Sequence, residues 1–335
     1  MRAELLSTHT PALFQKAVGR AVELLQAGEL VALPTETVYG LAANALDARA
    51  VEKIFAVKGR PAHNPIIVHV AGNEMAQACV AAWPELAQKF SRAFWPGPLT
   101  MVLPRSEKIP DAVTAGGNTV GVRWPGHPFM QAVICACGFP LAAPSANLSN
   151  RISPTNAEHV RSQLGDQIPL IVDGGQSQVG IESTVLDLSG LPPRILRPGM
   201  IHAESLAAVC GPLRDGKSSG ADHIFRSPGL LEKHYSPRAK LIVLDWPDDA
   251  ALHARLAPLQ IPLAATHIIA HTRIPGGFDA ANVSVIPHDA EAFARALYAE
   301  WHRCDAAGAR LIVVEAPPDS PEWSGITDRL RRAAA

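Results

Sequence analysis

The stretch Pro11-Ala-Leu-Phe-Gln-Lys-Ala-Val-Gly-Arg-Ala-Val-Glu-Leu-Leu-Gln-Ala-Gly28-Glu-Leu-Val-Ala-Leu-Pro34-Thr-Glu-Thr37 holds one full unit of the pattern that decides the fold. Its apolar pairs, Leu13/Phe14, Ala17/Val18, Ala21/Val22 and Leu24/Leu25, recur at helical spacing, and Gly28 stands where a helix C-terminal cap belongs. Residues 30–33 then form a short buried strand, and Pro34 to Thr37 are the loop leaving it. The same alternation continues outward. It predicts helices over residues 48–57, 84–94, 128–137 and 156–164. Strands are predicted over 66–70, 99–103, 119–123, 141–143, 170–173, 183–188 and 194–196. Strands alternating with helices predict an α/β protein, and the closely spaced late strands predict a mixed sheet.

The 335 residues suffice for about two domains, each with its own core. Composition changes after residue 210: residues 211–237 are rich in Gly, Ser, charged residues and Pro, without periodicity, as in a linker. Strands at 241–244, 267–270, 283–286 and 311–314 follow, with a helix after the first and another over 291–304. The expected organisation is therefore a domain at 1–210, a linker at 211–238 and a smaller α/β domain at 239–335. Hydrophobic residues are 47% and charged ones 18%, which excludes a largely disordered chain. A net charge of -1 argues against coating nucleic acid through bulk charge. No run approaches the ~20 apolar residues of a membrane span, and the N-terminus lacks a signal-peptide core, so a cytoplasmic protein is expected.

Some motifs carry nothing. Cys135 and Cys137 form a C-x-C without a second ligand pair, and they read as buried thiols of a packed helix. No metal-binding residue is expected. Gly211 to Ser218 matches the phosphate-loop pattern letter for letter, but the preceding residues, 203–210, look helical and no amphipathic helix follows. Such a loop works only between a buried strand and a helix N-terminus, so the match is taken as chance.

Chemistry concentrates elsewhere. Lys58-Gly-Arg60-Pro-Ala-His-Asn64-Pro, read as extended, would project Lys58 and Arg60 to one side. Two cations there suit a polyanion. Pro144-Ser145-Ala-Asn147 sets a hydroxyl and an amide at a strand end; Thr119 to Arg123 is a strand ending in arginine; Ile181-Glu-Ser183-Thr and Arg194-Ile-Leu-Arg197 add hydroxyls and another guanidinium. Four cations with neutral donors on loop and strand ends compose a pocket for a triphosphate plus a small carboxylate.

Pro34-Thr-Glu-Thr-Val-Tyr-Gly40, Lys58-Gly-Arg-Pro61, Asn64-Pro-Ile-Ile-Val-His-Val70, Gly121-Val-Arg-Trp-Pro125, Pro144-Ser-Ala-Asn147, Ser153-Pro-Thr155 and Gly180-Ile-Glu-Ser-Thr-Val185 together resemble the Sua5/YrdC family, the threonylcarbamoyl-AMP synthases. The likeness covers about residues 10–200, and Ser227 to Pro237 resembles the linker of the longer, two-domain branch. It implies a YrdC-like twisted mixed sheet with flanking helices and a smaller Rossmann-like Sua5 domain. It also implies a nucleotidyltransferase. L-threonine, bicarbonate or CO2, and ATP with Mg2+ would give threonylcarbamoyl-AMP and pyrophosphate. The product would pass to the tRNA threonylcarbamoyl transferase machinery for the t6A modification.

Matched position by position, Lys58, Arg60, Ser145 and Asn147 are the catalytic signature. Thr37, His69, Arg123, Ala143 and Ser183 are the threonine contacts; Arg60, Asn64, Thr119, Ser145, Ser153 and Arg197 are the ATP contacts, with Tyr235 reaching in from a lid-like linker. Three departures stand out: Asn150 replaces a common glycine, Ile66 a usual leucine, and Leu230-Leu-Glu232 a more basic linker pattern. The rival readings are a double-stranded RNA-binding module on the same fold and a carbamoyl-adenylate former with another acceptor, as in hydrogenase maturation proteins.

Overall fold

The computed structural model describes residues 2–214 and 235–335. They divide into two compact units, residues 2–149 with 153–214, and residues 150–152 with 235–335. Most of the linker expected at 211–238, the second half of the phosphate-loop match and the Leu230–Glu232 departure lie outside the described residues.

In the first unit the strands are β1 (Glu4–Ser7), β2 (Val31–Leu33), β3 (Gly40–Asn44), β4 (Val68–His69), β5 (Leu99–Pro104), β6 (Thr119–Arg123), β7 (Leu141–Ala142), β8 (Leu170–Asp173), β9 (Thr184–Asp187) and β10 (Arg194–Arg197). The helices are α1 (Pro11–Gln26), α2 (Ala48–Lys58), α3 (Asn73–Cys79), α4 (Glu85–Phe94), α5 (Asp111–Thr114), α6 (Pro128–Cys137), α7 (Ala157–Leu164) and α8 (Ala203–Cys210). Among the described residues the strands form one ten-stranded mixed sheet, ordered β1-β8-β2-β3-β7-β4-β6-β5-β9-β10. Helix α1 forms where its apolar stripe dictates. Thr10 caps its N-terminus by accepting from the Leu13 amide, and Gly28 takes a φ of 74° just past its end. Its buried face, Ala17, Val18, Ala21, Leu24 and Leu25, packs with Phe129, Met130, Val133 and Ile134 of α6 on one side of the sheet. The larger core, including Tyr39, Ile54, Phe90 and Met101, fills the other. Helix α6 differs from its expected reading in one respect: Cys137 is buried, whereas Cys135 is exposed, because the two fall on different faces.

Pairing register separates two ends of the central strands. Strands β4 and β6 run parallel and end together, with His69 opposite Arg123. Beside them β5 and β9 begin, with Leu99 opposite Thr184, and β10 ends with Arg197 opposite Val185. At the opposite end β7 finishes, because it runs antiparallel to both β3 and β4, and the Gly40–Ser145 bridge continues that contact. β6 starts at that same end.

The second unit has strands β11 (Lys240–Leu244), β12 (Thr266–Ala270), β13 (Val283–Val285) and β14 (Leu311–Glu315), and helices α9 (Asp249–Leu256), α10 (Ala290–Ala306) and α11 (Ser324–Ala334). Its strands pair in the order β11-β14-β12-β13, all parallel, as expected of a doubly wound unit. Trp246, Leu252, Ile268, Ala270 and Val313 form part of its core.

Candidate active site

The conformation around Lys58 corrects the extended reading. Helix α2 runs through Lys58, and Gly59 adopts a left-handed φ of 58°. Its amide donates to the Ala56 carbonyl while the Arg60 amide donates to that of Phe55, the bond pair of a Schellman turn. Alternation along a strand therefore does not relate Lys58 to Arg60. The Lys58 ammonium is buried and donates to two backbone carbonyls, that of Ser145 at 2.5 Å and that of Asn147. The Ser149 amide donates back to the Lys58 carbonyl at 2.8 Å. The helix end and the Ser-Ala-Asn turn are thus stitched together. Burial, and then the charge of Arg60, push the Lys58 ammonium well below the usual lysine range. Arg60 bends back over its own loop, donating through Nε to the Asn64 carbonyl at 3.0 Å and through Nη2 to that of Pro65 at 2.7 Å.

Asn150, the residue in place of a glycine, has a φ of 63°. The glycine preference has its cause there, and asparagine is among the few other residues that tolerate this region.

A second group gathers at the far strand ends. Arg123 is buried, with Nε donating to the Gly97 carbonyl at 3.2 Å and Nη1 to the Thr37 hydroxyl at 2.9 Å. Its Nη2 forms an ion pair with Glu36 Oε1 at 2.7 Å. The loop carrying Glu36 and Thr37 is pinned by main-chain bonds: the Val179 and Gly180 amides donate to the carbonyls of Glu36 and Thr37, and the Tyr39 amide donates to that of Pro154. Thr35 gives its only hydroxyl proton to the Val38 carbonyl at 2.6 Å. In the 2.9 Å contact between Thr35 and Thr37, the proton must therefore come from Thr37. Burial raises the Glu36 carboxyl, but the charge of Arg123 and the nearby Gly126 amide outweigh it and hold the group below its ordinary value.

His69 stands opposite Arg123, buried, with its Nδ1 lacking a hydrogen-bond partner. Burial first, and the charge of Arg123 second, push its pKa down to about 3, so the ring is neutral near pH 7. The unfolded chain then binds a proton that the folded chain refuses. Stability should fall as pH drops from the ordinary histidine value of 6.5 toward about 3, with a limiting slope of about 1.4 kcal/mol per pH unit. Urea denaturation across that range should show the slope in the parent and lose it in His69→Gln.

Ser183 meets Thr100, hydroxyl to hydroxyl, at 2.8 Å. Arg197 wraps Ser183, with Nε 3.1 Å from its carbonyl and Nη2 3.1 Å from its hydroxyl. Ser153 donates to the buried carboxylate of Glu182 at 2.6 Å. Gly199 lies where a Cβ would stand 2.6 Å from the Thr184 amide nitrogen, so the turn after Arg197 requires glycine.

The strand ends therefore sort the expected residues. His69, Arg123, Ser183 and Arg197 share one end, with Thr37 reaching Arg123 from its loop; Asn64, Thr119, Ala143, Ser145 and Asn147 lie at the other, with Lys58 bonded to the last two. Arg197, expected with the ATP contacts, sits against Ser183, expected with the threonine contacts. Tyr235 lies in the second unit with 1% exposure, its ring 5.9 Å from that of Tyr298 and beneath the Arg329 guanidinium. Glu36, Thr35 and Thr100 escaped the sequence reading. A lone carboxylate in the apolar neighbourhood of residues 30–42 was the available signal for Glu36.

The Sua5_yciO_yrdC family model, described as telomere recombination, matches residues 23–199; the Sua5_C model, described as threonylcarbamoyl-AMP synthase, C-terminal domain, matches residues 201–335. A threonylcarbamoyl-AMP synthase of Pyrococcus abyssi is 39% identical over 322 residues, covering 94% of this chain and 93% of that one. One from Bacillus subtilis is 39% identical over 333 residues, covering 98% and 94%. The crystal structure of P. abyssi Sua5 complexed with L-threonine superposes with a TM-score of 0.89 at 37% identity, covering 100% of this chain and 98% of that one. E. coli YciO, at 23% identity and a TM-score of 0.53, shares the fold over 59% of this chain and 96% of its own. With both family models matched in order and relatives alike across nearly the whole length, the chain belongs to the Sua5/YrdC family, in its two-domain branch.

Proposed function

We propose that this chain is a threonylcarbamoyl-AMP synthase, converting L-threonine, CO2 or bicarbonate, and ATP into threonylcarbamoyl-AMP and pyrophosphate. The observation that carries the reading is full-length similarity, across both units, to synthases of that name. The threonine ammonium first gives up a proton; the free amine captures CO2, losing a second proton, and the resulting carbamate oxygen attacks the α-phosphorus of ATP in line as pyrophosphate leaves. The protein supplies position and charge, and near-attack placement is worth about 7–11 kcal/mol.

Arg123 receives the threonine carboxylate, with Thr37 and Ser183 around it, and Ala143, two residues along from the Leu141 that pairs with His69, lines the ligand from the end of β7. Neutral His69, whose Nδ1 is buried without a partner, takes the side-chain hydroxyl. Lys58 fixes the Ser145–Asn147 turn that faces the nucleotide, and Arg60, Asn64, Thr119, Ser153 and Arg197 serve the ATP side. Tyr235, seated by Tyr298 and Arg329, is assigned to the ATP side as well. Mg2+ enters with the nucleotide. Phosphate oxygens and water would supply most of its ligands, as is usual for this ion. The catalytic domain spans residues 1–210, the linker 211–238 and the C-terminal domain 239–335. The reaction belongs in the cytoplasm, where tRNA modification consumes the product, and no described helix is long and apolar enough to cross a membrane.

Mass spectrometry of the nucleotide product, after incubation with ATP, Mg2+, bicarbonate and threonine and with each omitted in turn, tests this. Threonylcarbamoyl-AMP should form only in the complete mixture. Formation of AMP or ADP without threonine incorporation would overturn the reading.

A further inference from the structure

Buried polar atoms without partners are rare in folded proteins, and a cluster of them calls for an explanation. One such cluster surrounds Arg123. Its Nη2, both carboxylate oxygens of Glu36 and Nδ1 of His69 are all shut off from solvent without a hydrogen bond of full geometry, although the Gly126 amide lies near Glu36 and favours its charge. Glu36 and Arg123 approach to 2.7 Å, yet off the direction a hydrogen bond needs, so the contact balances charge and leaves lone pairs and protons unspent. The Arg123 guanidinium has five N–H groups, of which Gly97 and Thr37 engage one each. Carboxylate-accepting capacity remains on Arg123, and cation-accepting capacity remains on Glu36 immediately beside it.

We infer that Glu36 is a substrate-binding residue that receives the α-ammonium of threonine while Arg123 takes the α-carboxylate. The pair then complements a zwitterion: each of its charges meets one of the ligand's. This accounts for a carboxylate standing next to an arginine that has to attract another carboxylate. With Glu36 alone the arginine would be neutralised to no purpose; with a zwitterion all four charges alternate. The Glu36 carboxyl is held below its ordinary value, so it is ionised near pH 7, as the role demands. The inference rests on the reading of Arg123 as the carboxylate site.

Calorimetric titration of the full chain with L-threonine and with 3-hydroxybutanoate, which is threonine without its amine, tests it. In the parent, threonine should bind at least about tenfold more tightly, the worth of a hydrogen bond between charged groups. Glu36→Gln should weaken threonine by about 10–100-fold while changing 3-hydroxybutanoate by less than about twofold, and Glu36→Asp should recover part of the loss. Equal losses for both ligands would mean that Glu36 only steadies Arg123, and would overturn the inference. So would parent protein that binds the two ligands equally, a comparison that needs no variant to fold. Arg123→Ala should lose both ligands; if it kept both, the parent reading of Arg123 would fall, and the inference with it. If Arg123→Ala lost both and Glu36→Gln lost neither, Glu36 alone would be misassigned.

Discussion

Arg123→Ala is expected to abolish threonine-dependent pyrophosphate release, with turnover reduced by at least about 10²–10³ at any threonine concentration that can be reached. Arg123 is held from three sides. It is the buried guanidinium at the shared end of β4 and β6, tied to the Gly97 carbonyl, the Thr37 hydroxyl and the Glu36 carboxylate at once. Removing it strands Glu36 as a buried, uncompensated carboxylate, and breaking such a pair from one side costs about 3–5 kcal/mol. Loss of activity through unfolding has to be separated from loss of the binding group. The double variant Arg123→Met with Glu36→Gln does so, because removing both charges with side chains of similar volume is close to neutral for stability. Urea denaturation should place the double variant near the parent, and steady-state assays should still find it inactive. An active, well-folded double variant would refute the assignment of Arg123 to the substrate carboxylate.

The second large effect is expected at Lys58. Lys58→Met keeps the aliphatic stem that packs at the end of α2 but removes the donors to the Ser145 and Asn147 carbonyls. The Ser-Ala-Asn turn then loses its clamp, and turnover should drop by about 10²–10³, the loss typical of a misplaced charge-stabilising group. Arginine should not rescue it, since a planar fork does not fit a site built around a compact ammonium. Stability moves differently. A buried lysine pushed below its ordinary value of 10.5 penalises the folded state fully at low pH, and the penalty disappears as pH rises through that value. The parent should therefore gain stability with rising pH on the way to 10.5, and Lys58→Met should show a flatter profile in denaturant titrations. Unchanged turnover in Lys58→Met would remove the clamp from the catalytic account.

Local rules explain what could be read in advance. Helix α1 and helix α6 begin and end where their apolar stripes and flanking Thr10, Gly28, His127 and Gly138 place them. Strand β6 was legible because alternation from Thr119 ends on an arginine, and that alone put Arg123 at a strand end. Strand β1 was missed because it is an edge strand with a largely exposed face, and β3 because Gly-Leu-Ala-Ala-Asn carries little strand propensity. Helix α11 was missed because Asp328, Arg329 and Arg332, paired through the aspartate, are buried among its apolar Ile326, Leu330 and Ala333 and break up the stripe. At the site, Gly59 was read as part of an extended segment when it is the left-handed end of a helix, and this moved Lys58 from an open cleft to a buried seat. Arg197 meets Ser183 through antiparallel pairing of β9 and β10 with an irregular register, which no local pattern announces. Family likeness supplied the candidate residues; the pairing of strands decides which of them are neighbours.

The hydroxyl relay of the Thr35–Thr37 loop has one more consequence. Because Thr35 spends its proton on Val38 and Thr37 spends its own on Thr35, the oxygen that Thr37 turns toward Arg123 offers only lone pairs. That oxygen has no proton for a carboxylate, whereas it can accept from the guanidinium, and the Nη2 flank is already taken up by Glu36. A hydroxyl able to swing either way is thus polarised in one sense by its own loop, and the arginine keeps a fixed bearing because of it.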